Sequence, residues 1–437
     1  MNSFIETLKN RLTDSISEIS ESKSLFVKNP EKDFTRKRKL PFEDVMRNII
    51  SMGGNTISKE LLEIYDYSTD IPTSSAFIQQ RDKIKPSAFE HLFRNFTSSV
   101  ENPALYKGFR LFAVDGSDLH TPTNPNDTET HIKFKPTDKG YNVFYLNALY
   151  DLLNKVYVDA NAKTKREANE RKAFIEILKR SNINENVIVT ADRGYENYNT
   201  FAHIENKGWN YVIRVKDISS NGILSYLNLP ESGEFDLSLN IILTKKNTKE
   251  IKANPELYRC LPSSTSFDFL DKHTNQFYPI SFRVIRFELP DGSFKTIVTN
   301  LCEKVFTTDE IKHIYSLRWG IETSFRKLKH TIGLNNFHSR KQEHIIQEIF
   351  ARIIMYNFVE MTASHAIIPK MNKRHLHQVN FTIATHICRN FLKIYANMSP
   401  LDVEVLIRRN TLPVRPGRSY PCKPRFRSAV SFVYRIS

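Results

Sequence analysis

The chain has 437 residues, of which 40% are hydrophobic and 11% aromatic, a composition typical of a globular protein with room for two or more domains. No apolar run approaches the roughly 20 residues that a membrane-spanning helix needs, and the acid-bearing N-terminus does not resemble a signal peptide. The cysteines Cys260, Cys302, Cys388 and Cys422 form no CxxC pair, which predicts a reducing cytoplasmic location and gives no support to a zinc site.

The formal net charge of +15 is concentrated at the C-terminal end of the chain. Residues 370–437 contain 13 Lys and Arg against Asp402 and Glu404, a net charge of +11, which leaves +4 for the first 369 residues. A basic region on a nearly balanced body indicates a polyanionic partner, and nucleic acid is the stronger candidate. An acidic membrane is a weaker one, because Pro and Gly interrupt the basic segment 415–427 and prevent an amphipathic helix.

Residues 1–100 are expected to be mostly helical and to form an N-terminal DNA-binding region. The segment SSAFIQQRDKIKPSAFEHLF (74–93) predicts two short helices separated near Pro86, which would suit a small DNA-binding bundle. A basic run precedes these helices and is formed by Arg36, Lys37, Arg38 and Lys39. We interpret this run as an arm that binds the DNA backbone, with an ordinary solvated surface as the alternative.

From residue 101 the pattern changes to strands that alternate with helices. The predicted strands are FRLFAVDGSD, ending at Asp115; NVFYLNALYDLL and KVYVDANAK, joined by a turn at Asn154; ENVIVTADRGY, ending at Asp192; and NYVIRVKD. The segment REANERKAFIEILKR predicts a helix before the fourth strand. Residues 218–301 are predicted to form strands and turns, with a hairpin at Asp291-Gly292. The segment TTDE (307–310) predicts the capping box of a late helix.

The late helix contains the segment YSLRWGIETSFRKLK (315–329). At about 100° per residue, Tyr315, Arg318, Glu322 and Lys329 share an arc of about 60° that borders the apolar stripe of the helix. A polar stripe in that position is expected at the lip of a cleft, and Arg326 at its rim is a further candidate for DNA contact. The alternative is a helix surface carrying ordinary ion pairs.

The predicted order is three strands, a helix, a strand, a helix, a strand, a β-rich insertion and a long helix, which matches an α/β fold of the RNase-H-like type. Asp115, Asp192 and Glu322 occupy the positions that converge in that layout, although either aspartate alone would be an ordinary turn residue. Three carboxylates can hold two Mg²⁺ or Mn²⁺ ions about 3.5–4 Å apart, which is the arrangement that phosphodiester cleavage needs. Asp118 is expected to be a turn residue, with a supporting acid as the alternative.

Three motifs together resemble those of bacterial insertion-sequence transposases with a DDE triad, the group numbered as the fourth insertion-sequence family: Tyr315-x2-Arg318-x3-Glu322-x6-Lys329, VDGSD around Asp115, and ADRGY around Asp192. The resemblance covers roughly residues 34 to 427. It implies Mg²⁺-dependent cutting of transposon terminal inverted repeats and strand transfer into target DNA by a homodimer in the bacterial cytoplasm, associated with the nucleoid. It also implies that Tyr315, Arg318 and Lys329 hold the phosphate of the strand opposite the cut.

The expected domains are a helical DNA-binding region (1–100), the first part of the catalytic core (101–217), a β-strand insertion (218–301), the second part of the core (302–365), and a basic DNA-binding and dimerisation region (366–437). Two alternative functions remain at this stage. One is a metal-dependent nuclease of the same fold without strand transfer. The other is an inactive DNA-binding relic, and the intact triad counts against it.

Overall fold

The computed structural model describes residues 4–98, 102–133, 135–225, 227–271, 276–366, 376–393 and 398–414. The helices are α1 (Phe4–Glu21), α2 (Phe42–Ser51), α3 (Ile57–Ile64), α4 (Ser74–Arg81), α5 (Pro86–Ser98), α6 (Glu170–Arg180), α7 (Tyr198–Asn206), α8 (Lys249–Ala253), α9 (Thr308–Leu317), α10 (Trp319–Arg326), α11 (Gln342–His365), α12 (Phe381–Leu392) and α13 (Pro400–Arg409). None of the helices in these ranges is long and apolar enough to cross a bilayer.

The strands form one large sheet and one small ribbon. They are β1 (Arg110–Thr121), β2 (His131–Ile132), β3 (Tyr141–Asp151), β4 (Val156–Thr164), β5 (Val187–Ala191), β6 (Asn210–Val215), β7 (Phe235–Thr244), β8 (Tyr258–Cys260), β9 (Phe277–Glu288), β10 (Phe294–Thr299), β11 (His377–Val379) and β12 (Thr411–Pro413). The first ten strands belong to the large sheet, and β11 pairs with β12.

The helical character of the N-terminal region is confirmed by α1 to α5. In α1 the buried residues recur every three or four positions, so one stripe of the helix packs on the core: Ile5, Leu8, Leu12, Ile16 and Ile19. The two helices predicted around Pro86 are α4 and α5, and Pro86 begins the second one. Proline suits the first turn of a helix because its missing N–H would have no partner there.

The centre of the sheet has the strand order β4-β3-β1-β5-β6. Strands β4, β3 and β1 are antiparallel neighbours, whereas β1, β5 and β6 run parallel to one another. If these five strands are renumbered 1 to 5 by their order in the chain, their order in the sheet is 3-2-1-4-5, with two helical crossovers. The RNase-H-like fold class is therefore confirmed. Both faces are covered: Phe112 and Val114 of β1 pack with α6 and α7, while Ala113 packs with the N-terminal helices and α11.

The β-rich insertion continues the central sheet instead of forming a sheet of its own. Its hairpin of β9 and β10 forms around Asp291-Gly292 as predicted, with Gly292 at a φ of +79°. Strand β10 then pairs antiparallel with β6, and β9, β7 and β8 follow outward. The side chains of β10 are therefore fixed relative to those of the central strands.

The prediction that the first strand ends at Asp115 is wrong, because β1 continues to Thr121. Its parallel pairing with β5 stops at Val114–Ala191, but its antiparallel pairing with β3 continues as far as Thr121–Asn142. Asp115 therefore lies in a strand whose partner on one side has just ended. Asp118 likewise lies within the strand, so the interpretation as a turn residue is wrong.

The late helix begins at the predicted capping box, in which Thr307 accepts from the Glu310 N–H and the Glu310 side chain bonds back to the Thr307 N–H. It is not the single straight helix assumed from the sequence. The segment α9 ends at Leu317, α10 begins at Trp319, and Lys327–Thr331 forms a wider π-helical turn. The uniform rotation of 100° per residue therefore does not hold as far as Lys329.

Arg81 joins the N-terminal helices to α11 through a fully buried ion pair. Its Nη1 lies 2.8 Å from Oε1 of Glu348, its Nε donates to Gln347, and its Nη2 donates to the His344 carbonyl. Both charged side chains are almost completely buried. Burial by itself would raise the pKa of Glu348, but the charge of Arg81 lowers it. The N-terminal region is thus anchored to the core by a residue with no exposed charge.

We expect Arg81→Met to lower the free energy of unfolding by about 3–5 kcal/mol, because it leaves a buried carboxylate without its cation. Lys341→Met is the matched control, since it removes an exposed cation that pairs with Asp82 and should cost less than about 1 kcal/mol. Urea unfolding of the two variants measures the difference. Equal, small losses would contradict the anchoring role of Arg81.

Candidate active site

Asp115 lies in β1, and Asp192 directly follows the neighbouring parallel strand β5. Val114 pairs with Ala191, so the next residue of each chain segment brings a carboxyl group to the same end of the sheet. The Asp115 Oδ1 accepts from the Gly116 N–H at 2.8 Å, and the Asp192 Oδ1 accepts from the Gly194 N–H at 2.8 Å. Asp192 thereby caps the short helical turn Arg193–Tyr195 that leads away from the strand.

Arg318 links Glu322 to Asp115. The Arg318 Nη2 lies 2.6 Å from Oε1 of Glu322, and its Nη1 lies 3.8 Å from Oδ2 of Asp115. Arg318 stands at the joint between α9 and α10, and its side chain is 13% exposed. One guanidinium group therefore contacts two acids from different elements.

Burial raises the pKa of Asp115 to about 6, and the negative charges of Asp192 and Glu322 add to this effect. The Gly116 hydrogen bond and the charge of Arg318 act in the opposite direction. A carboxyl group that is costly to ionise next to two other acids is characteristic of a functional site.

The acids are of the right chemical type for a divalent metal, because Mg²⁺ and Mn²⁺ prefer hard carboxylate oxygens. Among the described residues, however, no three His, Cys, Asp or Glu side chains are grouped closely enough to hold a metal ion as they stand. Arg318 contacts two of the three acids. Metal binding would therefore require its guanidinium group to release at least Glu322.

A cluster of cations surrounds Tyr315 and was not predicted from the sequence. The Lys295 Nζ lies 5.2 Å from the centre of the Tyr315 ring, and the Arg318 Cζ lies 5.7 Å from it. Burial lowers the pKa of Lys295, and the charges of Arg214 and Arg318 lower it further. Arg214 and Lys295 lie on the paired strands β6 and β10, where an isolated cation in an apolar strand was the only sequence signal.

The remaining predicted site residues lie in three different settings. The Lys329 Nζ donates to the main-chain carbonyl of Asp118 at 2.8 Å, while the Asp118 carboxylate pairs with Lys165. Arg326 is exposed on α10. The basic run lies exposed in the loop before α2: Arg36, Lys37, Arg38 and Lys39, the last of which pairs with Asp70. The predicted basic segment 415–427 lies outside the described residues.

Residues 106–358 match the family model of the transposase DDE domain, and this span includes Asp115, Asp192 and Glu322. The chain belongs to the transposase DDE-domain family. It is a transposase, an enzyme that cleaves DNA and transfers DNA strands with divalent metal ions. Family membership favours this function over the alternative of a nuclease without strand transfer.

The transposase is also similar to a solved structure, a cryo-EM structure of piggyBac transposase synaptic complex with hairpin DNA. The TM-score is 0.47 and the sequence identity 9%, and the match covers 93% of this chain and 84% of that one. A comparison with curated protein sequences gives no match.

We expect Asp115→Asn to stabilise the metal-free transposase at pH 8 by up to about 3 kcal/mol, because burial raises the pKa of Asp115 to about 6. The raised pKa means that the folded state binds the proton more tightly than the unfolded state does. Asp115 therefore costs stability above about pH 6, and this cost disappears as the pH falls from 6 towards 4. Urea unfolding in EDTA at pH 8 and pH 4 measures the gain. A gain of equal size at both values would contradict the assignment.

Proposed function

We propose that Asp115, Asp192 and Glu322 form the catalytic DDE triad and hold two Mg²⁺ ions, or Mn²⁺ ions, during DNA cleavage and strand transfer. The observation that supports the proposal is that Asp115 and Asp192 directly follow the Val114–Ala191 strand pair, while Arg318 contacts both Asp115 and Glu322. When bound, such ions activate the attacking oxygen and stabilise the leaving oxygen of the phosphodiester. The raised pKa of Asp115 supports a position kept for a cation.

Arg318 has two roles in this proposal. Without DNA its guanidinium group offsets part of the repulsion between Asp115 and Glu322, which keeps two charged acids at one place. With DNA bound it turns to a phosphate, because a planar guanidinium group binds phosphate oxygens as well as it binds carboxylates. The substrate would then replace the carboxylates as the partner of Arg318 and release them for the metal ions.

In this proposal the cation cluster around Tyr315 holds DNA close to the reacting phosphate. Tyr315, Arg318 and Lys329 hold the phosphate of the strand opposite the cut. Arg214 extends this surface on β6, and Lys295 extends it onto the insertion. Lys295 supports the assignment because it is half-buried close to other cations, an arrangement that a bound phosphate would stabilise.

The wider DNA interface would use cations further along the chain. Arg326 extends the interface from α10, and the exposed basic run binds the DNA backbone with Arg36, Lys37, Arg38 and Lys39. The C-terminal region 366–437 contributes further charge and the contacts of a homodimer. We further propose a bacterial insertion-sequence element of the Y-R-E-K group, whose terminal inverted repeats and target DNA are the substrates. The spacing of Tyr315, Arg318, Glu322 and Lys329 supports this assignment.

The decisive variant is Glu322→Gln, which keeps the shape of the side chain but removes its charge. We expect cleavage of DNA carrying the element's ends to fall below detection, because a metal ligand is lost. Binding to the same DNA in EDTA should stay within about threefold of wild type, since the lost charge faces the metal site and repels phosphate. Gel analysis of cleavage and fluorescence anisotropy of binding provide the two measurements.

Glu310→Gln is the matched control, because this acid of the neighbouring helix α9 lies in the capping box and should leave cleavage unchanged apart from a small loss of stability. Cleavage at the wild-type rate by Glu322→Gln would show that Arg318 and Glu322 form only an ordinary ion pair on a helix surface. Loss of cleavage by both variants would show that the assay reports on folding.

The cation cluster can be tested by salt dependence. We expect Arg214→Ala and Lys295→Ala each to reduce the slope of log K against log [salt] by about 1, because each variant releases one fewer counterion on binding. Lys179→Ala, an exposed cation on α6, should leave the slope unchanged. An unchanged slope in the first two variants would show that the cluster does not contact DNA.

A further inference from the structure

The turn that follows Asp192 contains a glycine, Gly194, at a crowded position. A Cβ placed on Gly194 would lie 2.7 Å from the Glu170 Oε2 and 3.0 Å from the Asp192 Oδ1. Any residue larger than glycine would therefore displace one of these two carboxyl groups. The first residue of α6 thus packs against the turn at a point where only glycine fits.

Two consecutive residues of α6 contact this turn. The Arg171 Nε donates to the main-chain carbonyl of Gly194 at 2.8 Å. The Glu170 carboxylate packs on the same glycine, and its Oε1 accepts from the Tyr145 hydroxyl. That hydroxyl is itself packed against Gly116, since a Cβ placed on Gly116 would lie 1.5 Å from it. Glu170 therefore connects the glycine after one proposed catalytic aspartate with the glycine near the other.

The far end of the turn is also fixed, which leaves the direction of the Asp192 carboxylate dependent on Gly194. Tyr195 is fully buried, its hydroxyl accepts from the Asn147 Nδ2, and its ring stands edge-on to Phe174 of α6 with 5.8 Å between centroids. Between this anchor and the strand, the Gly194 N–H donates to the Asp192 Oδ1 at 2.8 Å. A shift of Gly194 would turn the Asp192 carboxylate with it.

We propose that Glu170 and Arg171 are positioning residues for the reaction, because they hold Gly194 where its N–H fixes the direction of the Asp192 carboxylate. The inference rests on the proposed function of Asp192. Neither residue needs to touch a reacting atom. One oxygen of Asp192 is held by the N–H, so the other points in one direction, and neighbours that orient a carboxylate in this way increase its value as a metal ligand.

Hydrogen exchange of the Gly194 amide in EDTA tests this positioning without metal or catalysis. We expect Glu170→Ala and Arg171→Ala each to speed this exchange about tenfold or more, the effect of losing a charged hydrogen bond next to the amide. Glu170→Gln should stay within about threefold of wild type, because it keeps the size of the side chain and an oxygen that accepts from Tyr145. Mass spectrometry of the fragment that contains the turn measures the rates.

The matched controls are Glu167→Ala and Lys172→Ala, which remove the same charges from exposed positions within three residues of Glu170 and Arg171. Both should exchange as wild type does. Urea unfolding of every variant shows whether a faster exchange comes from global instability. If Glu170→Ala does not fold, Arg171→Ala at its exposed position provides the result. Wild-type exchange of Gly194 in Arg171→Ala and Glu170→Ala would overturn the proposal.

Cleavage links the turn to the reaction. At saturating DNA and Mg²⁺, we expect Glu170→Ala and Arg171→Ala to cleave about tenfold more slowly, with affinity for DNA in EDTA within about threefold of wild type, because misplacing a reactive group slows the chemical step. Glu170→Gln should retain cleavage. A loss in Glu170→Gln equal to that in Glu170→Ala would show that charge matters rather than position, and would overturn the proposal.

A last comparison separates this inference from the proposed function. If Asp192→Asn abolishes cleavage while Glu170→Ala and Arg171→Ala exchange faster but cleave as wild type does, the positioning role is overturned and the triad stands. If Asp192→Asn itself cleaves at the wild-type rate, the proposed triad is overturned, and the role in the reaction falls with it.

Discussion

The end of the parallel pairing between β1 and β5 is the constraint on which the rest of the site depends. Val114 and Ala191 form its last pair, so a rigid sheet holds Asp115 and Asp192 beside each other. Burial and this proximity make the charged form of Asp115 unfavourable, and Arg318 offsets part of that cost. The sheet holds the Asp115 carboxyl group where ionisation is unfavourable. Such a position indicates a role in chemistry rather than in stability.

Several parts of the fold keep Asp115 in the position where its charged form is unfavourable. The antiparallel partner β3 continues beyond Asp115, so the strand that carries the acid remains paired on one side. The helix α11 packs under the sheet, and the buried Arg81–Glu348 pair ties the N-terminal helices to it. The N-terminal region is therefore part of the support of the catalytic core as well as a proposed DNA-binding region.

Joining the insertion to the central sheet has a consequence for electrostatics. Because β10 pairs with β6, Lys295 and Arg214 are brought next to Arg318 and Tyr315 on the side of Glu322. A cationic surface therefore borders Arg318 and Glu322 on the side of the insertion, which suits a substrate that carries phosphates.

Local patterns in the sequence determined the order of strands and helices along the chain, the hairpin at Asp291-Gly292 and the capping box at Thr307, because each depends on neighbouring residues or on a fixed spacing. Tertiary structure alone decided the rest. How far β1 runs past Asp115 depends on its pairing with β3, and the bridge from Arg318 to Asp115 joins residues 203 positions apart. Lys295 and Arg214 lie 81 positions apart and meet only through the pairing of β6 with β10, because strand pairing brings together residues that no local pattern in the sequence connects.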